Sequence, residues 1–396
     1  MTNNSIKYRI ESIDLLRGIV MIIMVIDHVR KFFHHGSFFI DPTDLTTTTP
    51  LIFFTRWITH FCAPVFVFLA GTSAFLYGSR RNNTKDVAWF LFSRGLFLIF
   101  LEMTIINFGW TFDIMLTFHL LQVIWAIGLS MVILSFAVFL PKSLIFSIGL
   151  IIVTGHNLLD LIVVNGASLK SIVWYTLHQK GSVLLSSDSL IHFSYPVLPW
   201  IGLIFLGYVF GILFKEGFSA EKRKKYLLII GSVSVLLFII LRATNLYGDL
   251  NHWEVQDTFI FSILSFLKLT KYPPSLLFIL MTIGPSLIFL YFIENISNKV
   301  TQYFVVIGRV PLFFYVLHIY LIHLFGIIGV ILTGGSWKDM VLTGNSFMTK
   351  SLLSYGYDLY IVYLIWILVV VVLYPICKKY NEYKLNNRSK WWLSYF

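Results

Sequence analysis

Long apolar runs alternate with short polar connections along almost the whole chain, from Ser12–Phe33 to a last run that closes at Cys377. A helix rises 1.5 Å per residue, so roughly 20 apolar residues cross a hydrocarbon core of about 30 Å, and each run reads as a membrane-spanning helix. The pattern predicts about ten such spans, near 13–33, 51–77, 87–106, 119–139, 143–161, 197–215, 226–243, 274–294, 310–330 and 356–377. Lipid offers no partner to a backbone N–H or C=O, which favours helices that satisfy their own bonds. The expected fold is an all-α, polytopic transmembrane bundle. The connections at 34–50, 162–196, 244–273 and 331–355 are too short for an independent core. A single integral-membrane domain over 1–396, with a short tail at 378–396, therefore follows.

Charge sorts the connections by side. Lys7 and Arg9 precede the first run; Arg80, Arg81, Lys85, Lys142, Lys215, the EKRKK run at 221–225, Lys299, Arg309, Lys378 and Lys379 fall in every second connection and in the tail. Lys and Arg concentrate on the cytoplasmic side of membrane proteins, so both termini are expected in the cytoplasm. On that topology all 11 histidines fall from the middle of the bilayer outward. The net charge of +11 would suggest nucleic acid in a soluble protein, but here it reports topology, and no nucleic-acid partner is expected. With 57% hydrophobic and 12% charged residues, the composition excludes an ordinary soluble domain. Cys62 and Cys377 lie in or at the ends of different spans, which indicates neither a disulfide framework nor a metal cluster. No small-residue cleavage site follows Met1, so the first helix is expected to stay in the membrane.

The first run, SIDLLRGIVMIIMVIDHVRKFF, is the most informative. It carries Asp14, Arg17, Asp27 and His28, and ionisable groups at membrane depth are costly unless paired or facing a polar cavity. Arg17 and His28 are eleven residues apart, which at about 100° per residue puts them within roughly 20° on one face and about 16 Å apart along the axis. Asp14 shares that stripe, at the spacing of a natural ion pair with Arg17. A histidine titrating near neutrality is a ready general base, and Asp27 is a candidate to orient it. His34 and His35 follow in the next loop. Without a spaced Cys, Asp or Glu partner they give weak grounds for zinc, and no metal is expected.

Further candidates lie in other runs. His60 precedes Pro64, which should kink the second span. Gly207 and Gly211 have the spacing of a close helix contact. Lys271 and Tyr272 sit on the outer side, against the charge trend, where they could meet a sugar or an anionic headgroup. Arg309 stands at the cytoplasmic mouth of the ninth span, with His318 deeper and His323 about 140° away around the helix, so at most one of the two histidines faces a central site. Arg94, Glu102 and Arg242 are further intramembrane charges, Arg242 in the position of a snorkelling end residue.

The blocks IDLLRGIVMIIMVIDH, HFCAPVFVFLAGTSAFL, YPVLPWIGLIFLGYVFG, KYPPSLLF and GRVPLFFYVLH resemble, in order, those of bacterial members of the heparan-α-glucosaminide N-acetyltransferase family. The Arg-x10-His element also looks like that of membrane acyltransferases that O-acylate bacterial glycans. The resemblance implies a multi-pass acyltransferase of the bacterial cytoplasmic membrane. It would move an acetyl group from cytoplasmic acetyl-CoA to an extracytoplasmic sugar, an amino sugar or a glycan hydroxyl, with a homodimer as an assembly open to it. His28 or the His34/His35 pair would act as base or transient acetyl acceptor. In the lysosomal members the catalytic histidine follows the first helix, whereas the face shared with Arg17 favours His28. Arg17, Asp14 and Arg309 would attract acetyl-CoA, and His60, His318, Lys271 and Tyr272 would meet the acceptor. The alternative on the residues alone is a transporter or flippase of a glycolipid or small anion, which inverted repeats would favour; none is evident.

Overall fold

The computed structural model describes residues 11–81, 83–186, 189–344, 346, 352–387 and 389–394. Lys7 and Arg9 lie outside the described residues. In chain order the helices are α1 (Glu11–Phe33), α2 (Pro50–Trp57), α3 (Cys62–Gly78), α4 (Thr84–Leu101), α5 (Asn107–Thr111), α6 (Val123–Ala137), α7 (Lys142–Gly155), α8 (Leu169–Leu177), α9 (Leu198–Phe210), α10 (Ala220–Thr244), α11 (Phe259–Leu267), α12 (Leu276–Ile293), α13 (Lys299–Arg309), α14 (Pro311–Leu332) and α15 (Leu359–Asn386). Among the described residues seven helical segments are long and apolar enough to cross a membrane: Pro50–Gly78, Thr84–Thr111, Lys142–Leu159, Ala220–Thr244, Leu276–Ile293, Pro311–Leu332 and Leu359–Asn386. Val123–Ala137 and Leu198–Phe214 are apolar but shorter. The chain is a multi-pass, predominantly helical membrane protein.

α1 is 23 residues long, and its many charges set it apart from those seven. It runs through the interior, packing against α3, α12, α13, α14 and α15, with Val25 and Val29 fully buried. Its contact with α13 is backbone to backbone. A Cβ on Gly18 would lie 1.9 Å from the carbonyl oxygen of Phe304, and one on Gly308 the same distance from that of Asp14. Only glycine admits this approach, which brings Arg17 within 3.3 Å of the Gly308 carbonyl. α3 and α9 meet in the same way at Gly71 and Gly207, where Thr72 donates to the Gly207 carbonyl at 3.0 Å.

The second span breaks at a 3-10 turn, Ile58–Phe61, just before Pro64 in the first turn of α3. The third breaks at a π-helical turn, Glu102–Ile106, whose fully buried Glu102 accepts from the Trp125 N–H at 3.0 Å in the first turn of α6. A carboxyl oxygen there meets the otherwise free N–H groups at the start of α6. The run read as a span over 119–139 is therefore helical only from Val123. Residues Phe118–Leu121 form β1, parallel to β3 (Leu190–Phe193), which pairs antiparallel with β2 (Gly181–Leu184). The connection 162–196 thus holds a helix and two strands. α15 continues to Asn386, well into the segment read as tail. Arg242 does not snorkel: only 1% exposed, it donates to the carbonyls of Asn251, Ser265, Phe266 and Lys268 and fixes the loop after α10. Cys62 and Cys377 are buried and free.

Candidate active site

His28, three turns along α1 from Arg17, stands on a cavity of about 630 Å³ walled by α1, α2, the β-strands and the loop before α12. Its Nδ1 lies 2.6 Å from Nε2 of His318 on α14, and the two rings stack at 4.9 Å. The far nitrogen of His318, Nδ1, is 3.1 Å from the Phe314 carbonyl, one turn back on its own helix. That carbonyl can only accept, so His318 carries its proton on Nδ1 and offers Nε2 as an acceptor. His28 must then donate from Nδ1, which leaves its Nε2 as the unprotonated nitrogen. Trp110 and Tyr315 meet the His28 ring edge-on at 4.8 and 6.2 Å, restricting its rotation.

Asp27 does not orient His28. One of its oxygens pairs with Arg30 at 2.9 Å and the other with Arg56 of α2, so both are engaged by arginines. The side chain instead holds two cations on the cavity wall, where Arg30, Lys31, Arg56, Lys180 and Lys271 face Asp27 and Asp41. Tyr272 lies beside Lys271, whose ammonium is 5.3 Å from its ring, and donates to the Tyr195 hydroxyl at 3.5 Å. Burial pushes the Tyr272 phenol up, but the Lys271 and Arg56 cations and the Tyr195 contact outweigh it and bring it down to about 8. His192 of β3 bonds the Ser182 hydroxyl at 2.7 Å; burial, reinforced by Lys180, lowers it to about 4 and keeps it neutral.

At the other end of α1, Arg17 pairs with Asp14 at 3.2 Å and donates to the Ser73 hydroxyl at 3.0 Å. Arg309 approaches Glu11 at 3.1 Å and Asp14 at 3.6 Å. Asp14, Arg17, Ser73 and Arg309 border a cavity of about 930 Å³ that also receives Arg80, Arg81, Lys384 and Lys390. A third cavity, about 340 Å³ and lined mainly by apolar side chains such as Met21, Leu91 and Ile127, adjoins both. It shares Arg17, Ser73 and Arg309 with the basic mouth and Phe66, Val123 and Tyr315 with the His28 cavity. The Tyr315 hydroxyl at this junction is buried, and among the described residues no hydrogen bond is made to it.

The sequence-derived candidates divide accordingly. Asp14, Arg17 and Arg309 gather at the basic mouth; Asp27, His28, Lys271 and Tyr272 line the His28 cavity, and His318 supports it from behind. His34 and His35 are outside it: His34 bridges to Tyr357, and the exposed His35 is 3.8 Å from Asp358. His60 is 3% exposed and packs on Phe278 at 5.3 Å, away from the cavity, because the 3-10 turn before α3 turns it into the core. His323 is outside it as well, its two ring nitrogens 3.0 and 2.8 Å from the carbonyls of Gly109 and Met340, of which a neutral imidazole donates to one. Arg56, Arg30 and Tyr315 were not among the candidates. Arg56 carried the same signal as Arg17, an arginine within an apolar run; Tyr315 carried none, since tyrosine is common in membrane helices.

The family model described as heparan-alpha-glucosaminide N-acetyltransferase, catalytic, matches residues 9–243, more than half of the chain. The match contains Arg17 and His28 and stops before Lys271, Arg309 and His318. No curated protein matches the chain.

Proposed function

We propose, on the premise that this chain belongs to the heparan-α-glucosaminide N-acetyltransferase family, that it transfers acetyl from cytoplasmic acetyl-CoA to an extracytoplasmic sugar, with His28 as general base. In this reading α1 and the shorter helices complete ten spans, both termini are cytoplasmic, and the protein resides in the cytoplasmic membrane. The observation that carries the reading is the set of three adjoining cavities along α1. They run from a basic mouth suited to phosphates, through an apolar passage suited to a pantetheine arm, to an imidazole whose Nε2 is free to accept a proton.

The chemistry follows from those positions. Arg17, Arg309 and their basic neighbours attract the nucleotide phosphates of acetyl-CoA, and the thioester reaches the Tyr315 junction. His28 Nε2 takes the proton of the acceptor amine or hydroxyl as the acceptor attacks the thioester carbonyl. The Tyr315 hydroxyl is a donor within the same walls for the oxygen that becomes negative. The C–S bond then breaks, the proton on His28 returns to the thiolate, and free CoA leaves by the mouth. His318 holds the required tautomer and stabilises the imidazolium. Lys271, Tyr272, Tyr195 and the cavity cations meet the sugar and any acidic group it carries.

Thermal shift of the purified protein with acetyl-CoA tests the reading: stabilisation that saturates with ligand is expected. No stabilisation and no binding would return the chain to the transporter class. Double-displacement kinetics would replace the direct step by an acetyl group carried on His28.

A further inference from the structure

We propose that His156, Asp160 and His178 form a divalent-cation site, with zinc the ion that best suits its donors. His156 and Asp160 are one turn apart, at the start and the cap of the 3-10 turn that ends α7, and His178 caps α8. One donor atom from each lies within 4.8 Å of the others. Both histidines are 2% exposed.

The hydrogen bonding of the cluster is incomplete in a way that points to a ligand. A neutral imidazole carries one donor and one acceptor, yet among the described residues neither ring nitrogen of buried His156 finds a partner, nor does Nδ1 of His178. His178 Nε2 and Asp160 Oδ1 are already 2.9 Å apart, and the two imidazoles face each other at 5.5 Å. Zinc held at about 2.0–2.1 Å sets its donor atoms roughly 3.3 Å apart, so a small rotation of His156 completes three ligands, with the fourth position left to water. A supporting layer is present. The other Asp160 oxygen accepts from Asn157 at 2.8 Å, and Asn157 in turn accepts from the Leu276 N–H at 2.9 Å, which orients the carboxylate. Imidazole donors disfavour calcium and magnesium. The expectation of no metal rested on His34 and His35 and on the lack of a zinc spacing along the chain, whereas only folding brings His178 to His156.

None of the three residues lines the His28 cavity, so the ion has a structural task. It ties the end of α7 to α8, two residues before Lys180, which lines that cavity just ahead of β2. The site stands whether or not the acetyl-transfer reading does.

The test uses the full chain, purified in detergent and freed of metal by chelation. Addition of Co2+ should give about one bound ion per chain with visible absorption of a four-coordinate nitrogen and oxygen site, and Zn2+ should displace it and raise the melting temperature by several degrees. His156→Ala and His178→Ala should abolish both responses, while His252→Ala, an exposed histidine elsewhere, should keep them. If the alanine variants do not fold, His156→Gln and Asp160→Asn should weaken Co2+ binding at least about tenfold. Wild-type protein that takes up no Co2+ and is not stabilised by Zn2+ overturns the proposal. So does uptake that survives unchanged in the variants.

Discussion

Replacing His318 with phenylalanine removes the acceptor for His28 Nδ1–H while keeping a ring of similar size between Phe314 and Tyr315. The buried N–H then has no partner, a loss of about 1–3 kcal/mol, and nothing else holds the tautomer that leaves Nε2 free. If that free energy is lost from the transition state, kcat falls by roughly 5- to 150-fold. The acetyl-CoA KM should hardly move, because Arg17 lies about 16 Å away along α1. The assay is release of the CoA thiol from acetyl-CoA by proteoliposomes with glucosamine as trial acceptor. His318→Gln, whose amide oxygen can accept, should recover part of the rate. A His318→Phe enzyme at wild-type kcat, or one changed in KM alone, would refute the positioning role.

Four other outcomes follow. Arg17→Ala removes a charge at the mouth and should weaken acetyl-CoA binding by about 10-fold or more in equilibrium binding, with Arg17→Lys intermediate. Gly18→Ala should lower the melting temperature in detergent, by the equivalent of about 1–3 kcal/mol, because its Cβ would sit 1.9 Å from a carbonyl oxygen. Gly155→Ala, with nothing within 4 Å of the added atom, should be nearly neutral. For His192, lowered to about 4 by burial, the folded state binds the proton less well than the unfolded chain. Its stabilising contribution is therefore complete above the unfolded value of about 6.5 and is lost as pH falls from there toward 4. His192→Gln should flatten the melting temperature across that acid window.

Seven of the predicted runs recur as helices long and apolar enough to cross a membrane, because hydrophobic length is a one-dimensional signal, and the stripe that joins Asp14, Arg17 and His28 was legible too. What escaped was whatever depends on partners distant in the chain. His28 meets His318 across 290 residues, and Asp27 turned from His28 to Arg56 because a guanidinium was within reach. Most of β1 fell inside the span read over 119–139, because so short a run, three apolar residues and His119, does not distinguish a buried strand from the start of a helix. Glu102 looked like a functional charge and instead caps α6, a role set by where the π-helical turn places it. The grouping of His156, Asp160 and His178 was hidden for the same reason, since its third member caps a separate helix.

The most direct measurement is the rate of acetyl transfer by His28→Ala in proteoliposomes, beside His34→Ala and His35→Ala. The account predicts a loss of about 10²- to 10⁴-fold for His28→Ala with acetyl-CoA binding retained, and near-normal rates for the two loop variants. Wild-type transfer by His28→Ala, with activity lost in either loop variant, would contradict it and move the base out of the membrane cavity.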